Sequence, residues 1–258
     1  MATRVLVSSP LHNLGATVVS TMYAHGATFS GKTSMLLATE VNTPIPDYLG
    51  LEGVNDPTRS VMQISKLVDA GSISDIDILD YAHQYSKNAY YINMADRSLE
   101  GVERMQVLKH LFARSPVDIV VCDNGFDIDS TETETLLEEA DAYFIVIDMS
   151  AKALAYLENW AYSSTLNKYP NTFVVINHYD ETVASMRDFA RKTPYTYNRL
   201  CKLHYNPWIR KCCFNGQLQT ILPLSKQADP RVCNLSADVL DFVKCCASIE
   251  LLKTKKGF

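Results

Sequence analysis

A chain of 258 residues that is 47% apolar and 21% charged can bury a core large enough for one sizeable domain, which excludes a disordered or fibrous protein. A net charge of −5 makes nucleic acid an unlikely partner, and no apolar run reaches the roughly 18 residues of a membrane span. The seven cysteines show no CxxC spacing, and no signal peptide opens the chain. Reduced thiols in a cytoplasmic protein are therefore expected, with contact at a membrane periphery left open.

Arg4 to Ser8 reads as a buried first strand, residues 9–15 as a loop, and residues 14–27 as a helix. Ser34 to Ala38 is a second apolar strand, broken by Asn42-Thr43-Pro44-Ile45-Pro46. Asp56-Pro57-Thr58 looks like a helix start, with Val61, Ile64, Leu67 and Val68 at helical spacing behind it. A short helix is expected over Ser74 to Ala82, a strand over Ala89 to Asn93 and an amphipathic helix over Ser98 to Arg114.

Val117 to Asp123 is the strongest strand signal, a continuous apolar run that ends in an acid before Asn124-Gly125. An acidic helix over Thr131 to Ala140, a strand over Ala142 to Ile147 and a long helix over Ala151 to Leu166 follow. Asn171 to Asn177 is one more strand, ending in a polar side chain. A broken helical pattern covers Thr182 to Leu200, Gln219 to Pro223 reads as the last strand or its edge, and Ser236 to Lys253 as a closing helix. Strands alternating with helices predict one α/β domain over 1–258, a doubly wound, mostly parallel sheet with helices on both faces, frayed at 251–258.

Two stretches compete for the role of phosphate-binding loop. Gly26-Ala27-Thr28-Phe29-Ser30-Gly31-Lys32-Thr33 satisfies GxxxxGK[ST] letter for letter. Gly15-Ala16-Thr17 stands where Gly-Lys-Thr would stand in a second register, but there the lysine is missing and Pro10 replaces the first glycine. A working loop needs a strand before it and a helix starting at its Lys-Ser/Thr. The exact match would need a strand over Thr17 to His25 and leaves the sheet poorly supplied, whereas the degenerate register gives strand, loop, helix and second strand in order. Context favours the degenerate register.

In that register the chain resembles the deviant-Walker P-loop ATPases of the MinD/ParA family, and within it the bacterial CpaE/TadZ-like localisation factors. The likeness runs from Arg4 to about Leu240, carried by the first strand and loop, Gly31-Lys32 before strand two, Asp118 to Gly125, Ala140 to Val146 and Val174 to Asn177. It implies a nucleotide-binding set of Leu11, His12, Asn13, Leu14, Gly15, Ala16, Thr17, Asp123 and Asn177, with Asn177 reading the adenine base. It further implies ATP or ADP with Mg²⁺ as cofactor, the metal held by Thr17 and by Asp123 in its second shell.

The departures are as informative as the matches. The family's two loop lysines correspond to Ala16 and Leu11, His12 and Asn13 replace glycines, and Ala38 and Glu40 stand where strand two should end in an aspartate. Phosphoryl transfer depends on cations that offset charge building up on the phosphates, so weak or absent hydrolysis is expected, a pseudo-ATPase with no catalytic residue. The implied role is spatial positioning or assembly through protein partners of a localisation, secretion or segregation machinery, with a homodimer face to face across the loop. The tail Leu251 to Phe258 would bind anionic lipid only weakly. Other readings stay open: an active ATPase using Lys32, a structural protein without nucleotide, and a DNA-binding partition protein.

Overall fold

A computed structural model of the protein describes residues 2–40, 42–52, 61–70, 77–94, 101–161, 169, 171–193, 199–221, 235, 237–239 and 241. Its first half runs β1 (Thr3–Ser8), α1 (Ala16–Thr28), β2 (Ser34–Ala38), α2 (Ile45–Leu49) and α3 (Val61–Asp69). A hairpin of β3 (His83–Ser86) and β4 (Ala89–Ile92) follows, then α4 (Gly101–Arg114) and β5 (Ile119–Asn124). The second half runs α5 (Thr131–Glu139), β6 (Ala142–Ile147), α6 (Ala151–Ala161), β7 (Thr172–Tyr179), α7 (Met186–Lys192), β8 (Leu200–His204) and α8 (Pro207–Phe214).

The strands form one eight-stranded sheet in the order β3-β4-β2-β5-β1-β6-β7-β8. Every pairing is parallel except the β3–β4 hairpin at one edge. Strand side chains alternate between faces, so each strand feeds two cores. Leu6, Met35, Leu37, Val120 and Cys122 join the core that α3, α4 and α5 cover. Val5, Val7, Leu36, Ala38 and Val121 face the other way, under α1, α2 and α8. Burial on both faces is why these strands read as unbroken apolar runs.

Four differences from the sequence expectations have local causes. Asn42 to Pro46 does lie beyond the end of β2, as expected, but Pro44-Ile45-Pro46 also starts α2, a helix that was not expected, because proline in a first helical turn removes only an N–H that had no helical partner. His83 to Ser86 lacks the β-branched residues that announce a strand, yet it pairs antiparallel with β4 through a turn where Asn88 takes a φ of 65°. The last strand is Leu200–His204, starting where the expected broken helix of Thr182 to Leu200 ends and not anticipated, since five residues are too few to set a period. Gln219 to Pro223, expected as the last strand or its edge, opens instead in a 3-10 turn over Leu218–Thr220, and its residues 222–223 lie outside the described ones. The expected segments 53–60, 71–76, 95–100, 162–168 and most of 236–253, with the tail, lie outside the described residues.

Candidate functional site

The centre of the sheet places the ends of β1, β2 and β5 side by side, and the chain leaving β1 turns directly into α1. Two left-handed residues make that turn, Asn13 at φ 65° and Gly15 at φ 89°. Ser9 Oγ lies 2.7 Å from the Leu11 carbonyl and 3.1 Å from the Val146 carbonyl, anchoring one side of the loop. On the other side Asn177 Nδ2 donates to the Leu14 carbonyl at 2.8 Å. A Cβ on Gly15 would collide with that same amide nitrogen, so the close approach requires glycine as much as the backbone angle does.

Gly15 is the N-cap of α1, and Val19 N–H closes the first helical bond to the Gly15 carbonyl at 3.0 Å. The amides of Ala16, Thr17 and Val18 therefore have no helical acceptor, and all three residues line a cavity of about 340 Å³. Such an end presents partial positive charge and N–H donors to an anion. The cavity's other walls are Glu40 just beyond β2, Pro44 and Tyr48 at α2, and Asp123 to Asp127 at the end of β5 and just after it.

Asp123 is buried against α1 and accepts from Ser20 Oγ at 3.0 Å and from the Thr17 hydroxyl. Burial pushes its carboxyl up to about 6, with the negative charge of Glu40 adding to the rise while the Thr17 and Ser20 bonds oppose it. Asn124 points the other way, its amide donating to Ser8 Oγ and Thr133 Oγ1, each at 2.8 Å. Gly125 N–H donates to Thr39 Oγ1 at 2.7 Å, and the Glu40 side chain lies where a Cβ on Gly125 would be. The β2 and β5 ends are thus locked together beneath the opening.

Eight of the nine residues expected at the site line this cavity: Leu11, His12, Asn13, Leu14, Gly15, Ala16, Thr17 and Asp123. Asn177 is not among the lining; it is 4% exposed, and its Nδ2 donates to the Leu14 carbonyl from beneath the loop. Tyr48 and Pro44 escaped sequence reasoning because the prolines hid α2. Glu40, Asp123 and Asp127 give the lining three acids, while no lysine or arginine is among its residues. No group of three or more His, Cys, Asp or Glu among the described residues could hold a metal by itself.

The exact motif match lies elsewhere. Gly26, Ala27 and Thr28 belong to the last turn of α1, Phe29 to Gly31 make the turn beyond it, and Lys32-Thr33 lead into β2. Because β1, β5 and β2 run parallel, this is the opposite end of the sheet, a helix of roughly 20 Å away. Thr33 there bonds Asp118, its N–H at 2.7 Å and its hydroxyl at 2.9 Å from the carboxylate. A second cavity of about 880 Å³ on this side carries Arg4, Lys109 and Arg114, but Arg4 is paired with Asp141 and Glu139, and Lys109 with Glu138 and Glu139. No helix among the described residues is long and apolar enough to cross a membrane.

No protein-family model and no curated protein matches the chain. Solved structures match its fold over nearly its whole length. A ParA family ATPase from Chlorobium tepidum superposes with a TM-score of 0.71 at 15% identity, covering 93% of this chain and 98% of that one. A chain of the MinC:MinD cell division protein complex from Aquifex aeolicus gives 0.70 at 12% identity, with 96% of each chain covered. MinD from Pyrococcus horikoshii, complexed with Mg-ADP, gives 0.67 at 13%, covering 96% and 98%. The chain has the α/β fold of the MinD/ParA P-loop proteins.

Proposed function

We propose that this protein binds a magnesium nucleotide at the β1–α1 loop without the lysine that would turn it over, and acts as a positioning or assembly factor through protein partners. The observation that carries the reading is the cavity itself: free helix amides, Thr17 and Asp123 in place, and no lysine or arginine in the lining. The amides of Ala16, Thr17 and Val18 would hold the phosphates, and the Thr17 hydroxyl, with Asp123 behind it, would face the metal. Magnesium would supply the charge compensation that the side chains do not, which makes binding depend on it and leaves hydrolysis weak or absent.

With three acids in the lining and no cation, a free polyphosphate is repelled, whereas its magnesium complex carries less charge to oppose. MinD in a complex with MinC, among the fold's relatives, supports a role through partner proteins, as does the resemblance to localisation factors. A second copy facing the same loop would close the cavity's open side.

Calorimetric titration with MgADP and MgATP tests the reading. Weak binding is expected for the native protein, loss of it without magnesium, and a gain of at least about tenfold in Ala16→Lys, the effect of one cation worth about 1.4 kcal/mol. Lys32→Ala should bind as the native protein does. If Lys32→Ala abolishes binding, or both nucleotides give no heat with folded native protein and folded Ala16→Lys alike, the reading is wrong.

A further inference from the structure

A cavity that would hold phosphate without a lysine needs its side-chain donors from another wall. On the loop and β5 walls Ser9 is committed to the Leu11 and Val146 carbonyls, Thr17 to Asp123, and Asn124 to Ser8 and Thr133, which leaves His12 and Asn13 on the loop itself and the wall that faces it. Tyr48 is the polar side chain that α2 contributes. It lines the cavity, half-buried, and among the described residues its hydroxyl has no hydrogen-bond partner. Burial, then the nearby Cys213, Asp123 and Asp47, raise its pKa, so it keeps its proton and stays a donor.

The helix that carries Tyr48 is held from behind. Gly50, just after α2, and Gly216, just after α8, both take left-handed angles, φ 58° and 65°. Their backbones touch: a Cβ on Gly50 would stand 2.5 Å from the Gly216 carbonyl oxygen, and one on Gly216 would stand 2.9 Å from the Gly50 Cα. Gln219 Nε2 adds a bond to the Leu49 carbonyl at 3.3 Å. Side chains at either glycine would push α2 off α8. Tyr48 would move with it.

We infer that Tyr48 is a binding residue of the cavity, donating its phenolic O–H to a nucleotide phosphate oxygen, and that Gly50 and Gly216 are the positioning residues that hold it there. This rests on the cavity being a nucleotide site, and it assigns the wall opposite the loop a direct part in affinity. It also accounts for two glycines outside the loop meeting backbone to backbone where the turns after α2 and α8 touch.

The test measures MgADP affinity by titration calorimetry, with melting temperature as the check on folding. Tyr48→Phe should weaken MgADP about tenfold with no change in melting, as loss of one hydrogen bond to a charged oxygen does. Gly216→Ala should weaken it to a similar degree, and the two together should lose little more than either alone, because the glycine acts only through the tyrosine. Gln219→Met removes a milder tie and is read the same way if Gly216→Ala fails to fold. Each variant is also made in Ala16→Lys, where Tyr48→Phe should still cost affinity, though less. Loss there beside a native protein that does not bind would keep Tyr48 as a ligand while rejecting nucleotide binding as the native function. Unchanged affinity of Tyr48→Phe in both backgrounds, or additive losses with Gly216→Ala, would overturn the inference.

Discussion

Gly15-Ala16-Thr17 and Gly31-Lys32-Thr33 sit at the two ends of the same helix, and only one of them has the letters of a phosphate loop. The end without the lysine opens on a cavity at the centre of the sheet, with free amides and a buried acid. The end with the lysine closes a turn between α1 and β2, where its threonine is bound to Asp118. A phosphate loop is made by where a strand ends and a helix begins; the letters matter only once that is in place.

The two ends also titrate in opposite directions, which gives the largest expected effects. His25, near the C-terminal end of α1, is buried edge-on to Phe29, and burial pushes its imidazole down to about 4, opposed only by the Gln219 backbone. The unfolded chain takes up that proton near pH 6.5 and the folded protein does not, so stability falls as pH drops from about 6.5 to 4, by roughly 3 kcal/mol in all. Asp123, at the other end, keeps its proton in the folded protein up to about 6, whereas the unfolded chain releases it near 3.8. There stability falls as pH rises across about 4 to 6, by a comparable amount. Between pH 4 and 6 the two slopes largely cancel in the native protein. Urea unfolding across that range should show His25→Phe losing stability as pH rises and Asp123→Asn losing it as pH falls. Parallel slopes in the two variants would break the comparison.

The glycines give the next effect. Both have positive φ, 89° at Gly15 and 78° at Gly31, so alanine is strained at either. Beyond that, a Cβ at Gly15 collides with Asn177, while at Gly31 nothing lies within 4 Å. Gly31→Ala should cost about 1 kcal/mol, the backbone strain alone, and Gly15→Ala roughly 2–3 kcal/mol because the Asn177–Leu14 tie must also give. Thermal melts of the two variants decide it. Equal losses would mean that the loop has room the geometry denies it.

Much of this was legible in the sequence. The buried runs Ile119 to Asp123 and Ala142 to Ile147 announce themselves because both faces of the sheet are covered, and the order of strand, loop and helix over residues 4–27 could be read off in the same way. What stayed hidden depended on contacts made far along the chain. No local signal marks α2 as a wall of the cavity, since its place depends on Gly216 and Gln219. Nor does anything near Asn177 reveal that its amide is tied to Leu14. Strand ends can be ranked as candidate ligands from sequence, but which side chains reach the cavity is settled by packing.

The smallest effects come from the threonines, and they separate the ends most cleanly because each hydroxyl has a carboxylate partner. Thr33 Oγ1 donates to Asp118 Oδ2 at 2.9 Å and accepts from the Asp118 N–H at 3.0 Å, an exchange that holds the turn before β2 to the start of β5. Thr33→Ala should cost about 1 kcal/mol of stability, the net worth of an ordinary hydrogen bond, and leave MgADP affinity unchanged. Thr17 donates to Asp123 at the cavity wall, where that carboxyl is buried and its ionised form already penalised. Thr17→Ala should therefore weaken the magnesium-dependent part of binding more than it lowers the melting temperature. A Thr33→Ala protein that lost magnesium-dependent binding while Thr17→Ala kept it would return the site to the end with the perfect letters, in spite of the strand order around it.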